Sequence, residues 1–290
     1  MAGRRTDFTT IRARNYLSRR GVEDADREAV LSWARCLGVD PIHITAGTAD
    51  PPDPGARECF WRQVGLRGRR VPRAYLDGWR EFWSRSFLVT DDCLIPRPET
   101  ETLVKTVLEE ANRTREGPLR VADVGTGCGV LAVTLACEDP ALSIVASDIS
   151  APALEVARAN ARRHGVHSRI KFRRGSLLEP FSPESLDVLV SNPPYVSQAA
   201  YRRLDPEVRV WEPASALVAG RDGLFYLRKL LRRAPAYLRP GGLLACEVGA
   251  DQREAVSSFI EGTGGYASYR WIRDLGGRTR VLVALREMRS

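Results

Sequence analysis

Metal-binding side chains are scarce in this sequence, and its positive charge is carried almost without lysine. There are three histidines, and the six cysteines (36, 59, 93, 128, 137 and 246) form no C-x-x-C pair. That spacing excludes the usual zinc arrangements, so no metal is expected and the thiols are read as reduced and mostly buried. His164 and His167 have no third ligand nearby and read as a solvated helix end. No apolar run approaches the roughly 18–20 residues that span a bilayer. The N-terminal stretch "MAGRRTDFTTIRARNYLSRRG" lacks the apolar core of a secretion signal. A cytoplasmic protein with no membrane partner is therefore expected. Of the 44 basic residues only Lys105, Lys171 and Lys229 are lysine, and none of the basic runs exceeds two residues. The net charge of +8 would suit an acidic partner, but scattered arginine reads as compositional bias, so nucleic acid is not the expected partner.

What is present is strongly patterned. At 290 residues the chain can hold one large domain and a small one. Residues 9–44 read as helices, with Ala29, Val30, Trp33, Ala34 and Leu37 at helical spacing and Gly38 as a stop. "TAGTADPPDPGA" (45–56) reads as a loop and 57–68 as a further helix. Phe87-Leu88-Val89 and Cys93-Leu94-Ile95, flanking Asp91-Asp92, read as a short β-hairpin. Three regions are expected: a helical domain over 1–75, a hairpin linker over 76–98, and a larger domain over 99–290. From Glu99 the pattern alternates helix and strand. Strands are expected at "LRVADV", "LSIVASD", "RIKFRRG", "LDVLVSN" and "GGLLACEV", and two more, paired antiparallel at an edge, in "YASYRWIRDLGGRTRVLVAL". Such alternation predicts a doubly wound α/β sheet with a parallel core.

Three motifs fall at the carboxyl ends of these strands, where open α/β sheets bind ligands. "ADVGTGCG" (122–129) is a glycine-rich turn from strand to helix, in which Gly125, Gly127 and Gly129 permit tight backbone and close approach of a ligand. It is neither the dinucleotide G-x-G-x-x-G nor a phosphate-gripping G-K-[ST] loop. Asp123, just before it, would repel a pyrophosphate and welcome a cation. Asp148, closing the next strand, can accept two ribose hydroxyls, although it could equally serve the start of the following helix. Two acids around a glycine turn fit S-adenosylmethionine, an adenosine with a sulfonium and no phosphate, better than NAD.

The third motif is Asn192-Pro193-Pro194-Tyr195, after the apolar run Leu186–Val190. Two prolines would terminate any strand. They would also build a rigid acceptor pair: the Asn192 side-chain oxygen and the Pro193 carbonyl, with Pro194 holding Pro193 extended. Two acceptors at about 3 Å match the two hydrogens of a neutral –NH₂ group and would aim its delocalised lone pair at a methyl sulfonium. Tyr195 would supply a flat wall against such a planar group, or simply pack in the core.

Together these motifs resemble the class I S-adenosylmethionine-dependent methyltransferases. More narrowly, the chain from about residue 70 onward is similar to the HemK/PrmC family of release factor glutamine N5-methyltransferases. The similarity is carried by "IPRPETE" (95–101), "VADVGTGCG", "ASDIS", "VSNPPYV", "EPASALVAGRDGL", "LRPGGLLACEVG" and "IRDLGGRTRVLVA". The resemblance implies a seven-stranded Rossmann-like methyltransferase sheet with a small N-terminal helical domain joined by a β-hairpin. It implies cofactor contacts at Gly125, Thr126, Gly127, Cys128, Gly129, Asp148, Asn192 and Leu177, and a substrate glutamine held by Asn192, Pro193, Pro194 and Tyr195, with Asn192 and Pro193 catalytic. It further implies a class 1 peptide chain release factor as protein partner, docked partly by the N-terminal domain of a monomeric enzyme. The chain departs from the family pattern at Ser176, where an acid is usual, at Leu177, where an aromatic is usual, at Arg70-Val71-Pro72-Arg73, and in the proline-rich 50–54 stretch. Transfer to another protein glutamine, or to an exocyclic amine of a DNA or RNA base, and a scaffold without catalysis are the other readings; "IPRPETE" and the lack of a separate basic recognition domain speak against the nucleic-acid one.

Overall fold

A computed structural model describes residues 8–114 and 117–288, and the chain divides into two units. The first comprises the chain up to Gly78 together with the later segment Pro206–Trp211; the second comprises the remainder.

The first unit is helical: α1 (Phe8–Arg19), α2 (Ala25–Leu37), α3 (Pro41–Ala46), α4 (Pro54–Gly68) and α5 (Arg73–Asp77). Asp40 and Asp53 each precede a proline and accept a backbone N–H of the helix they start, from Ile42 at 2.9 Å and Ala56 at 2.6 Å. The Asp53-Pro54 pair starts α4 earlier than the loop reading of 45–56 allows. Ala13, Leu17, Ala29, Trp33, Phe60 and Val64 are buried together, with the Trp33 and Phe60 rings stacked 3.9 Å apart. The expectation of six reduced thiols is corrected here, because α2 and α4 bring Cys36 and Cys59 into a disulfide. Their separation of 23 residues carries no signal in the sequence; only the packing of the two helices pairs them.

A partly buried ionic network holds the later segment in this unit. Arg67 contacts Glu28 at 3.1 Å and Glu207 at 3.0 Å, and Arg70 reaches Glu207 at 2.5 Å. The Trp211 indole donates to the Arg69 carbonyl at 3.2 Å. Arg73 pairs with Asp77 and reaches the Ser32 hydroxyl and Leu31 carbonyl. The departures at Arg70 and Arg73 thus have structural work inside this unit.

The second unit starts with a hairpin, β1 (Trp79–Phe82) and β2 (Arg85–Leu88). Its turn is Trp83-Ser84, both at positive φ (51° and 54°), several residues before the expected Asp91-Asp92. Two-residue hairpin turns of this kind favour Asn and Gly, so Trp-Ser hid the turn. The unit continues through α6 (Glu101–Thr114), β3 (Leu119–Val124), α7 (Val130–Glu138), β4 (Leu142–Asp148), α8 (Ala151–Arg163), β5 (Ile170–Arg174) and β6 (Leu186–Ser191). Then follow α9 (Gln198–Tyr201), α10 (Pro206–Trp211, the segment belonging to the first unit), α11 (Phe225–Arg233), β7 (Leu238–Glu247), α12 (Arg253–Glu261), β8 (Tyr266–Arg273) and β9 (Thr279–Arg286).

Seven strands form one sheet in the order β5-β4-β3-β6-β7-β9-β8. The first five are parallel, and β9 and β8 add antiparallel at one edge. The doubly wound sheet is therefore present, with its order reversing between β3 and β6. The alternation of side chains along each strand feeds two cores. Val121, Ile144, Val188, Val190 and Ala245 pack on one face with α6 and α7. Ala122, Val124, Leu189, Leu244 and Cys246 pack on the other with α11 and α12. His164 is not simply solvated: its Nε2 lies 3.0 Å from the Ser86 carbonyl, beside Phe87.

Candidate active site

Strand register sets the site. Val124 pairs with Ser147, Asp123 with Val190, and Ser191 with Cys246. Continuing this register, Asp148, Gly125, Asn192 and Glu247 follow one another across β4, β3, β6 and β7. In register they share one side of the sheet.

The glycine turn is shaped from behind. Asp123, wholly buried, accepts from the Thr126 hydroxyl at 2.6 Å and the Ala132 N–H at 3.1 Å, both at Oδ2. Burial pushes its carboxyl up to about 7, against those two bonds. It does not line the cavity below; the expectation that it faces a cationic ligand is replaced by a role inside the turn. Gly125 and Thr126 both donate to the Ser147 carbonyl, at 2.8 and 2.9 Å. Gly125 and Gly127 have φ of +76° and +56°, with open space where a Cβ would point. Gly129 differs. It does not line the cavity, and a Cβ there would meet Ala157 at 3.0 Å, so this glycine lets α8 pack against the turn. Asn160, buried on α8, donates to the Cys128 carbonyl at 2.8 Å and exchanges hydrogen bonds with the Leu88 backbone.

Asp148 closes β4 with both oxygens engaged by backbone: Gly127 N–H donates to Oδ2 and Ser150 N–H to Oδ1, each at 2.9 Å. A carboxylate has about four lone-pair sites, so acceptor capacity remains. A cavity of ≈170 Å³ opens in front of it. Gly125, Thr126, Gly127, Cys128, Asp148, Leu177, Asn192, Pro193 and Pro194 all line this cavity; Gly129 and Tyr195 do not. Leu177 is held at φ +48°, a strained conformation for a non-glycine residue. The cavity is also lined by Cys93, Pro96, Arg97, Thr100, Ile149 and Tyr226, which the motif reading does not single out. The donor set fits an adenosyl sulfonium: a spare carboxylate acceptor at a strand end, a glycine cradle a side chain would fill, and mostly apolar walls. Among the described residues no group of His, Cys, Asp and Glu could hold a metal ion.

At the far wall the Asn192 –NH₂ donates to Thr100 Oγ1 at 3.1 Å. The Thr100 hydroxyl donates to Glu247 Oε2 at 2.7 Å, and the Tyr195 hydroxyl donates to Glu247 Oε1 at 3.1 Å. Burial raises the Glu247 carboxyl, opposed by the Thr100 bond and by the charge of Arg280. Burial and the nearby Glu247 push the Tyr195 phenol up. Tyr195 is thus tied into the protein rather than facing the cavity. The Gln252 amide donates to the Tyr195 carbonyl at 2.9 Å. Among the described residues nothing donates to Asn192 Oδ1 or to the Pro193 carbonyl, so the expected acceptor pair is available. Ile95 N–H donates to Glu212 Oε2 at 3.0 Å, Arg97 pairs with the same buried carboxylate, and the Trp83 N–H donates to Glu101 at 2.8 Å. The Ile95–Glu101 stretch is therefore bolted to the unit along its length. Glu247 was findable: it is an acid within the apolar run "GLLACEV".

Comparison with known proteins finds methyltransferase relatives over most of the chain. Residues 99–207 match the model of the methyltransferase small domain, and residues 10–78 that of the PrmC N-terminal domain. A release factor glutamine methyltransferase of Cereibacter sphaeroides is 42% identical over 92% of this chain and 94% of its own. One of Bacillus subtilis is 36% identical over 97% and 98%. A methyltransferase structure from Pyrococcus furiosus, 16% identical, covers 77% of this chain and 99% of its own with a TM-score of 0.52, a likeness of fold.

Proposed function

The chain belongs to the release factor glutamine methyltransferase family, and on that premise we propose that it transfers a methyl group from S-adenosylmethionine to the side-chain amide nitrogen of a glutamine in a class 1 peptide chain release factor. The observation that carries the reading is that two unengaged acceptors, Asn192 Oδ1 and the Pro193 carbonyl, share one cavity with the glycine turn and Asp148.

Gly125–Cys128, Asp148 and Leu177 would hold the cofactor, with Asp148 accepting ribose hydroxyls. When bound, it would supply an electrophilic methyl carbon: the N–C bond would form as the methyl–sulfur bond breaks, a neutral thioether would leave, and the nitrogen's surplus proton would pass to solvent. Asn192 and Pro193 accept the two amide hydrogens, polarise the nitrogen and aim it. The contribution is orientation and electrostatics rather than general-base chemistry. The rigid Pro193-Pro194 backbone keeps the acceptor direction fixed while the substrate enters.

A glutamine side chain reaches such a cavity when its flanking backbone is slim, as in a Gly-Gly-Gln loop. A nucleobase would first have to be flipped from its stack, at a cost of a few kcal/mol. Residues 1–75 are proposed as the docking module for the large protein partner, which would place the enzyme in the cytoplasm. The net charge of +8 favours an acidic partner surface and salt-sensitive association. The test is methyl transfer, in parallel, to a purified release factor, its Gln→Ala loop variant and short oligonucleotides. Labelling of the intact factor alone is expected. Equal labelling of the Gln→Ala variant, or labelling of the oligonucleotides, would overturn the assignment.

A further inference from the structure

The Ile95–Glu101 stretch contributes one side chain that touches both the acceptor asparagine and a buried acid. We infer that Thr100 and Glu247 are positioning residues that set the polarity of the amide clamp, an inference that rests on Asn192 acting as proposed above. The argument is one of proton bookkeeping. Thr100 has one hydroxyl proton, and at 2.7 Å it goes to Glu247 Oε2. Its oxygen then has only lone pairs to offer Asn192 at 3.1 Å. Asn192 must turn its –NH₂ toward Thr100, and its carbonyl oxygen toward the cavity. The flipped amide would set oxygen against oxygen at Thr100 and present a donor to the substrate's own –NH₂.

Glu247 also receives the Tyr195 hydroxyl at 3.1 Å, through its other oxygen. One carboxyl group therefore anchors both ends of the Asn192–Tyr195 segment. A proton on Glu247 leaves the relay intact when it sits on Oε1, facing Tyr195; on Oε2 it would reverse the direction at Thr100. Thr100 and Glu247 are almost wholly buried, at 2% and 0% exposure. Water cannot readily substitute for the missing partner if either is removed. Neither Gly125–Cys128 nor Asp148 is hydrogen-bonded to Thr100 or Glu247 among the described residues, so the relay acts on the acceptor side of the cavity.

The experiment is steady-state methylation of a release factor by the full-length protein carrying Thr100→Val, Thr100→Ser or Asn192→Ala, with cofactor affinity measured by calorimetry and folding by thermal melts. Thr100→Val keeps the shape and loses the hydroxyl. It is expected to lower kcat by about ten- to a hundredfold, the scale of a misaimed reacting group, with cofactor affinity unchanged within about twofold. Thr100→Ser restores the relay and is expected to recover most of the rate, which a purely packing role of the threonine would not produce. If Thr100→Val does not fold, Thr100→Ala against Thr100→Ser makes the same comparison. A slow Asn192→Ala beside a Thr100→Val variant of parental kcat would overturn this inference alone, as would a Thr100→Ser variant as slow as Thr100→Val. An Asn192→Ala variant of parental kcat would overturn the clamp itself, and the relay with it.

Discussion

Asp123 ties the turn's shape to pH. Its carboxyl is wholly buried, Oδ2 accepts from Thr126 and Ala132, and Oδ1 has no hydrogen-bond partner among the described residues. Burial lifts it to about 7, whereas an unfolded aspartate titrates near ~3.9. The sign follows from proton counting. Below about pH 4 both states hold the proton, and the group's stabilisation is fully present. Between about pH 4 and pH 7 the folded state keeps a proton the unfolded state has lost, so stability falls as pH rises, by up to about 1.4 kcal/mol per pH unit. Above about pH 7 the loss is complete. From pH 5 to pH 7 the two values give a loss of about 2 kcal/mol. Asp123→Asn keeps an oxygen for Thr126 and Ala132 and cannot titrate. Urea unfolding followed by circular dichroism at pH 5, 6 and 7 should show the parent losing about 2 kcal/mol more than the variant over that range. Parallel profiles, or a parent that gains stability relative to the variant as pH rises, would refute the reasoning.

The remaining predictions address the cofactor side. Asp148→Ala should weaken S-adenosylmethionine binding by about 1.5–3 kcal/mol, the worth of a hydrogen bond to a charged acceptor; calorimetry showing unchanged affinity in a folded variant would remove Asp148 from the site. Gly127→Ala and Gly129→Ala should separate binding from stability. The methyl at 127 enters open space, so cofactor affinity should fall with a stability loss of only about 1–2 kcal/mol for the left-handed backbone. At 129 the methyl also meets Ala157 at 3.0 Å, so denaturant melts should show a further loss of about 1–3 kcal/mol from overpacking. Equal stability of the two variants would contradict the packing account.

The sheet was legible because its central strands are apolar runs bounded by polar or glycine-rich segments, and because helices alternate with them. "LDVLVSN" and "LSIVASD" read as strands from composition, and β6 and β4 follow them closely. The turn at Trp83-Ser84 was not legible, since neither residue is a usual left-handed turn former. Nor was the Cys36–Cys59 pair, which depends on how two helices pack. The segment Pro206–Trp211 is the clearest case. Nothing in "PEVRVW" announces that it belongs with the N-terminal helices, and its place rests on Glu207 meeting Arg67 and Arg70, which lie 140 and 137 residues away in sequence.

The site divides the same way, and the sheet's register explains the division. Motifs at strand ends could be read because parallel strands in register bring their carboxyl ends into one row: Asp148, Gly125 and Asn192 come together once Val124 lies beside Ser147 and Val190 beside Asp123. The fourth member, Glu247, joins by the same register, one residue past the Ser191–Cys246 pair, but a carboxylate among apolar residues gives no hint of what it will face. That is decided by the turn Pro98–Thr100 leading into α6, which puts Thr100 against both Glu247 and Asn192. A one-residue slip of β7 against β6 would turn Glu247 to the opposite face of the sheet and leave Thr100 and Tyr195 without their common acceptor. The acceptor geometry is therefore a property of the sheet and of α6 together. A four-residue motif announces it, but the direction of its amide is set by Glu247 at the carboxyl end of the neighbouring strand and by Thr100 just before a helix.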